Sequence, residues 1–127
     1  MSQTTAFAAP ERRDRLLIKR AQALLEVRNA TAAAVLRTTG GRSYPGVALV
    51  ADGVEVPAEL VALGAALAAG EAAFDVLVTV TRHGDDAELV APCRAALTLL
   101  AEAAPDACAL VPTPAGPRRA KATALRA

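Results

Sequence analysis

The chain has 127 residues, of which 54% are hydrophobic, 21% charged and 2% aromatic, and its formal net charge is +1. That balance excludes a wholly disordered chain and fits one soluble globular domain. The even charge, with no aromatics interleaved among basic residues, excludes a dedicated nucleic-acid surface.

Thirty-three residues are alanine, so the core must rely on Val, Leu and small Ala faces. A core this lean depends on subunit association to cover what apolar surface remains, and a homo-oligomer, dimer or tetramer, is expected. No apolar run reaches the ~18 to 20 residues of a membrane span, and the opening MSQTTAFAAP lacks the basic start and apolar centre of a secretion signal. A cytoplasmic protein with no membrane partner is expected. Cys93 and Cys108 are too few for a disulfide framework or a four-thiolate zinc site, so reduced thiols are expected.

In chain order, Pro10 opens ERRDRLLIKRAQALLEVR, whose Leu16, Leu17, Ile18, Ala21, Leu24, Leu25 and Arg28 form a stripe on a first helix. TAAAVLRT and RSYPGVALVA, on either side of Thr39-Gly40-Gly41, predict a hairpin. Asp52-Gly53 marks a break. Pro57 then starts a second helix that Gly70 stops, with Leu60, Leu63, Ala66, Leu67 and Gly70 on one side. FDVLVTVT, residues 74–81, predicts a strand buried on both faces. Arg82 to Glu88 predict a polar loop, Leu89 to Ala91 a short strand end, Pro92 to about Ala104 a third helix, and Ala107 to Pro112 a last strand. Residues 113–127 complete the expected organisation as a Pro-rich basic tail, flexible or docked on a neighbouring subunit, after a domain spanning 1–112. The order of elements predicts a mixed sheet flanked by layers of helices.

Two helix starts carry the candidate chemistry, Pro57-Ala58-Glu59 and Pro92-Cys93-Arg94-Ala95-Ala96. With RTTGGRSYPGVAL, AELVALGAALAAGE, FDVLVTVTRH and APCRAALTLLAEAAPDACALV around them, residues 31–111 resemble the small homo-oligomeric cytidine deaminases. The resemblance implies a three-layer α/β/α sandwich with a mixed sheet, and pockets built from more than one subunit. Zinc nucleobase deaminases hold their metal with a His- or Cys-x-Glu element followed by Pro-Cys-x-x-Cys, the glutamate moving protons. On that pattern Glu59 falls on the proton-moving glutamate, Pro92 on the proline and Cys93 on the first cysteine. Pro57 and Ala96 fall on the other two ligand positions, and neither has a lone pair to give. Ala48 and Val50 replace the polar residue and glutamate with which the family grips ribose.

A catalytic zinc needs three protein ligands plus water. Without it, water loses a pKa drop from 15.7 to about 7, worth on the order of 12 kcal/mol toward hydroxide at neutral pH. No metal or other cofactor is therefore expected, and no hydrolytic deamination of cytidine. Two readings stand. In one the chain is a repurposed, metal-independent enzyme acting on a small molecule by isomerisation, elimination, cyclisation or condensation, with Glu59 and Cys93 as catalytic groups. In the other it is a non-catalytic pseudoenzyme that binds a ligand or a partner chain. The Ala- and Arg-rich composition suits a high-GC bacterium, where small orphan relatives accompany specialised-metabolite pathways.

Each candidate also has a plainer explanation. Glu59 in a first helical turn serves equally as a cap. Cys93 at a helix start has either a lowered thiol pKa or an ordinary core role. Tyr44, His83 and Arg94 are the candidate substrate-binding residues. Tyr44 near the hairpin turn otherwise packs, and His83 in RHGDD is otherwise a solvated loop residue unless that loop folds over the pocket as a second proton carrier. Cys108 is expected to pack, and Asp85, Asp86 and Glu88 to be solvated.

Overall fold

The computed structural model describes residues 6–126; residues 1–5, the first half of the opening stretch MSQTTAFAAP, and residue 127 fall outside it. The elements are α1 (Arg12–Val27), β1 (Ala32–Thr38), β2 (Ser43–Val47), β3 (Leu49–Ala51), β4 (Val54–Val56), α2 (Ala58–Ala68), β5 (Phe74–His83), β6 (Asp86–Val90), α3 (Arg94–Ala103), β7 (Cys108–Thr113), β8 (Gly116–Lys121) and α4 (Ala122–Leu125). The main sheet runs β2-β1-β5-β7-β8, with β6 also paired to β5. It is mixed: β5 and β7 are parallel and the other pairs antiparallel. Among the described residues, no helix is long and apolar enough to cross a membrane.

Strand alternation divides the core into two layers. Ala33 and Val35 of β1, Val76, Val78 and Val80 of β5, and Leu110 of β7 face α1, which buries Leu17, Ala21 and Leu25 against them. Ala34, Leu36, Leu77, Ala109 and Val111 face the other way, onto α2, α3 and α4. The result is the expected three-layer α/β/α sandwich.

Helix α2 is turned differently from the expectation: it buries Ala58, Glu59, Ala62, Leu63 and Ala66 and leaves Leu67 half exposed. The cause is close approach to β2. A Cβ on Gly46 would lie 2.5 Å from the Ala58 carbonyl oxygen and 2.6 Å from the Ala62 nitrogen, so only the alanine stripe can face that strand. On α1, similarly, Leu16 points outward.

Three segments differ from their predicted form. Asp52 and Gly53, both at positive φ, join β3 to β4; they are the two turn residues of a hairpin rather than a break. His83 and Asp86 pair across Gly84-Asp85, so the expected polar loop is the β5–β6 hairpin. The supposed tail forms β8, paired with β7 from Cys108↔Lys121 to Thr113↔Gly116, and α4 follows it.

The tail is ordered because its arginine has buried partners. Arg119 donates to Asp75 Oδ1 at 2.6 Å and lies 3.4 Å from Asp14. Arg37, itself 5% exposed, donates to Asp14 Oδ1 and Asp75 Oδ2, each at 2.6 Å. Two carboxylates and two guanidiniums thus join α1, β1, β5 and β8, and Asp14 also accepts from the Glu11 amide at the start of α1. Burial raises the Asp75 pKa, but hydrogen bonds and charge from Arg37 and Arg119 outweigh it and hold the carboxyl below its ordinary value.

Candidate functional site

The two helix starts singled out in the sequence meet. Pro57, with φ −57° and ψ 143°, leads into α2, and Cys93, extended at φ −64° and ψ 156°, leads into α3. Glu59 lies in the first turn of α2 and is 5% exposed. Its Oε2 accepts a hydrogen bond from the Cys93 backbone amide at 2.8 Å. The carboxylate therefore caps a helix, but α3 rather than its own, supplying one of the amides left unpaired at a helix start with a charged acceptor. Its Oε1 makes no hydrogen bond among the described residues and is not sealed in the interior.

Beside this contact is a cavity of about 230 Å³ lined by Ala32, Glu55, Pro57, Ala58, Glu59, Thr79, Thr81, Val90, Ala91 and Cys93. Its position follows from the topology, since the C-terminal half of β5 and the N-termini of α2 and α3 open together at one edge of the layers. The walls are mostly small and apolar, and the charged groups on them, Glu55 and Glu59, are both acidic.

Of the candidate residues, Glu59 and Cys93 share this cavity, whereas Tyr44, His83 and Arg94 do not line it. Tyr44 is half-buried on β2 and packs against the core on the α2 side. His83 is exposed at the β5–β6 turn, paired with Asp86. Arg94 is exposed at the first position of α3. Val50 is exposed on β3, and Ala48 packs against the core.

The Cys93 thiol departs from the helix-start expectation. Burial pushes its pKa up, the Glu59 carboxylate adds to the rise, and the amides of Ala96 and Ala95 only partly offset it. The sulfur therefore remains a protonated thiol at neutral pH.

Three polar cavity residues lay outside the candidates: Glu55, Thr79 and Thr81. For the threonines a signal was present, because Leu77, Thr79 and Thr81 alternate with Val78 and Val80 and so share the face of β5 turned to α2 and α3. Thr79 is buried, and its Oγ1 has no hydrogen-bond partner.

The architecture is the cytidine deaminase fold. The chain is similar to the cytidine deaminase from Burkholderia pseudomallei at 25% identity, covering 87% of this chain and 94% of that one with a TM-score of 0.67. It is similar to the enzyme from Mycobacterium leprae at 23% identity, covering 83% and 91% with a TM-score of 0.62, and to the one from Bacillus anthracis at 18% identity, covering 80% and 77% with a TM-score of 0.68. No protein-family model and no curated protein sequence matches the chain.

The zinc site that such a fold implies is not fitted by these residues. Cys93 is one thiol, Glu59 already spends an oxygen on the α3 amide, and Pro57 and Ala96 have no donor. Among the described residues, no three His, Cys, Asp or Glu side chains are grouped to hold a metal ion.

Proposed function

We propose that this chain is a metal-independent small-molecule enzyme on a cytidine deaminase fold, in which Glu59 moves a proton within a bound ligand. The observation that carries this is the buried Glu59 carboxylate at the cavity wall, with Oε2 fixed by the Cys93 amide and Oε1 free of backbone hydrogen bonds among the described residues. A carboxylate held in this way can take a proton from one atom of a ligand and return it to another. Such a shift completes an isomerisation and begins an elimination, a cyclisation or a condensation, none of which needs an activated water. The Cys93 thiol, protonated at the same wall, acts as a hydrogen-bonding or proton-donating group rather than as a thiolate nucleophile.

The chain is further proposed to work in the cytoplasm as a homo-oligomer. Leu49, Val50 and Val54 are all more than half exposed on the β3–β4 hairpin, whose neighbour Glu55 lines the cavity. A second copy covering that hairpin would shield apolar surface and border the cavity.

The non-catalytic reading, in which the cavity binds a ligand or a partner chain, has one observation in its favour: capping α3 is by itself a structural reason for a glutamate at position 59. A deletion strain complemented with wild type, Glu59→Gln or Cys93→Ala separates the two. Glutamine keeps an oxygen acceptor for the Cys93 amide but cannot carry the proton. The enzymatic reading expects the Glu59→Gln strain to show the metabolite profile of the deletion. Restoration of the wild-type profile by both variants overturns it.

A further inference from the structure

We propose that the outer face of α1 is a docking surface for an acidic polypeptide segment of another protein, one that carries apolar side chains among its carboxylates. This face lies across the sheet from α2 and α3, so it neither uses the Glu59 cavity nor depends on the chemistry proposed there.

The first observation is where the cations stand. Helix α1 buries Asp14, Leu17, Ala21 and Leu25, and at 3.6 residues per turn its other side carries Arg12, Arg13, Arg15, Lys19 and Arg20, all exposed. These are more than a third of the chain's 14 lysines and arginines, gathered on half of one helix. Elsewhere Arg37 and Arg119 are held by Asp75, Arg82 by Glu26 and Arg126 by Glu102. On α1, Arg13 pairs with Glu11 and Arg20 reaches the Ser43 hydroxyl. Among the described residues, Arg12, Arg15, Lys19 and Arg20 form no ion pair with a carboxylate.

The second observation is their cost. A helix favours carboxylates at its start and cations at its end. In α1 the order is reversed: Arg12, Arg13 and Arg15 stand in the first turn, and the last turn holds no basic residue. The acid of that first turn, Asp14, is buried and bound to Arg37. Arg12 and Arg15, and Arg15 and Lys19, are also like charges three and four apart. Cations set where they weaken the helix are explained by a partner that brings carboxylates.

The third observation selects the partner. Leu16, Ala23 and Val27, seven and four residues apart, share the outward side, with Leu16 58% and Val27 75% exposed. Cations beside an apolar stripe match an acidic amphipathic segment. A phosphate backbone would leave the stripe unused. A bilayer would receive only two large apolar side chains, because the rest of the apolar face is in the core. A second copy presenting this face would set five cations against five.

The test probe is a helical peptide of about three heptads with leucine at a and d and glutamate elsewhere, its binding to the full chain followed by fluorescence anisotropy at physiological salt. Saturable binding is expected. R12Q/R15Q/K19Q should weaken it about ten-fold, through three exposed ion pairs lost. R42Q/R94Q/K121Q, which removes the same charge elsewhere, should change it by less than about two-fold. Leu16→Gln, and separately a peptide with glutamine in place of leucine, should each weaken it about five-fold. Without peptide, R12Q/R15Q/K19Q should melt about 2 °C above wild type, because the helix start loses like charge. No saturable binding, equal weakening by the two triple variants, no loss with Leu16→Gln, or an R12Q/R15Q/K19Q protein that melts at or below wild type overturns the proposal. Tighter binding of a DNA duplex or of phosphatidylglycerol vesicles than of the peptide also overturns it, and gives the face to nucleic acid or to membrane instead.

Discussion

Substituting Gly46 by alanine tests whether the contact between β2 and α2 is as tight as it must be to set the site. The added Cβ would lie 2.5 Å from the Ala58 oxygen, 2.6 Å from the Ala62 nitrogen and 3.1 Å from the Ala62 Cα. Ordinary contact distances are about 3.5 Å, so strand and helix must part by roughly 1 Å. All three atoms are backbone, and no side chain can rotate away. Overpacking of this kind costs about 1 to 3 kcal/mol, and the lower chain entropy of unfolded alanine offsets roughly 0.5 kcal/mol of it. For a domain of this length, with each kcal/mol moving Tm by about 4 °C, the midpoint should fall by roughly 2 to 10 °C. Ala58 precedes Glu59, so the same displacement should lengthen the 2.8 Å bond to the Cys93 amide and shift that amide's NMR resonance. Differential scanning calorimetry at one fixed protein concentration would measure the change. Gly40→Ala serves as the control, because its nearest neighbour would be the Thr38 hydroxyl at 3.8 Å. If Gly46→Ala melts within 1 °C of Gly40→Ala, the close approach does not position α2 and the reasoning is wrong.

The Asp75 carboxyl, held low by Arg37 and Arg119, is disfavoured in its protonated form by folding. Its contribution should be complete above pH about 4 and disappear as pH falls through the lower folded value, so Asp75→Asn should flatten the acid limb of a stability–pH curve followed by circular dichroism. Asp14→Asn leaves the buried Arg37 short of a carboxylate and should cost about 3 kcal/mol in urea unfolding; a loss below 1 kcal/mol would mean that solvent or Asp75 makes good the deficit. Iodoacetamide alkylation of Cys93, followed by peptide mass spectrometry, should still be accelerating above pH about 8.5, and Glu59→Gln should shift that profile to lower pH, because the Glu59 charge helps hold the thiol up. An unshifted profile would remove Glu59 from the thiol's surroundings. Elemental analysis should find no stoichiometric zinc in the wild type and about one zinc per chain in the double substitution P57C/A96C, since two further thiolates beside Cys93 complete a three-ligand site. Zinc bound by the wild type would refute the donor argument.

Much of the fold was legible because its signals are local. Proline at the starts of α2 and α3, the 3.6-residue stripe of α1 and the β-branched run of β5 each act within a dozen residues. The two extra hairpins carried local signals as well. Asp52-Gly53 between Val50-Ala51 and Val54-Glu55 is the residue pair that a two-residue turn requires, and Gly84-Asp85 closes β5–β6 in the same way. The charge cluster was not legible, because Asp14, Arg37, Asp75 and Arg119 meet only after β1, β5 and β8 lie side by side. Arg119 in a Pro-rich basic stretch looks like a solvated tail until Asp75 is beside it. In the site, Glu59 and Cys93 meet at one cavity wall, while Tyr44, His83 and Arg94 lie away from it, because which side chains share a wall depends on how β2, β5 and α3 pack and not on local sequence.

The zinc deaminase pattern takes metal ligands both from the element that carries the glutamate and from the Pro-Cys-x-x-Cys element, so a bound metal would tie the two together. Here Pro57 and Ala96 leave that tie without donors, and the direct polar link between the two helix starts is the Glu59–Cys93 hydrogen bond. On the proposed reading one residue has two tasks that separate by atom: Oε2 anchors α3, and Oε1 is left for the proton. Alanine at position 59 would abolish both, leaving an unpaired amide at a partly buried helix start and a loss of stability of about 1 kcal/mol. Glutamine would remove only the charge and the proton. A comparison of the two variants by Tm and by metabolite profile therefore separates anchoring from chemistry: Glu59→Gln should melt close to wild type yet fail to restore the profile, and Glu59→Ala should fail in both. If glutamine destabilised the fold as much as alanine, the negative charge rather than the acceptor would be holding α3, and the division between the two oxygens would not stand.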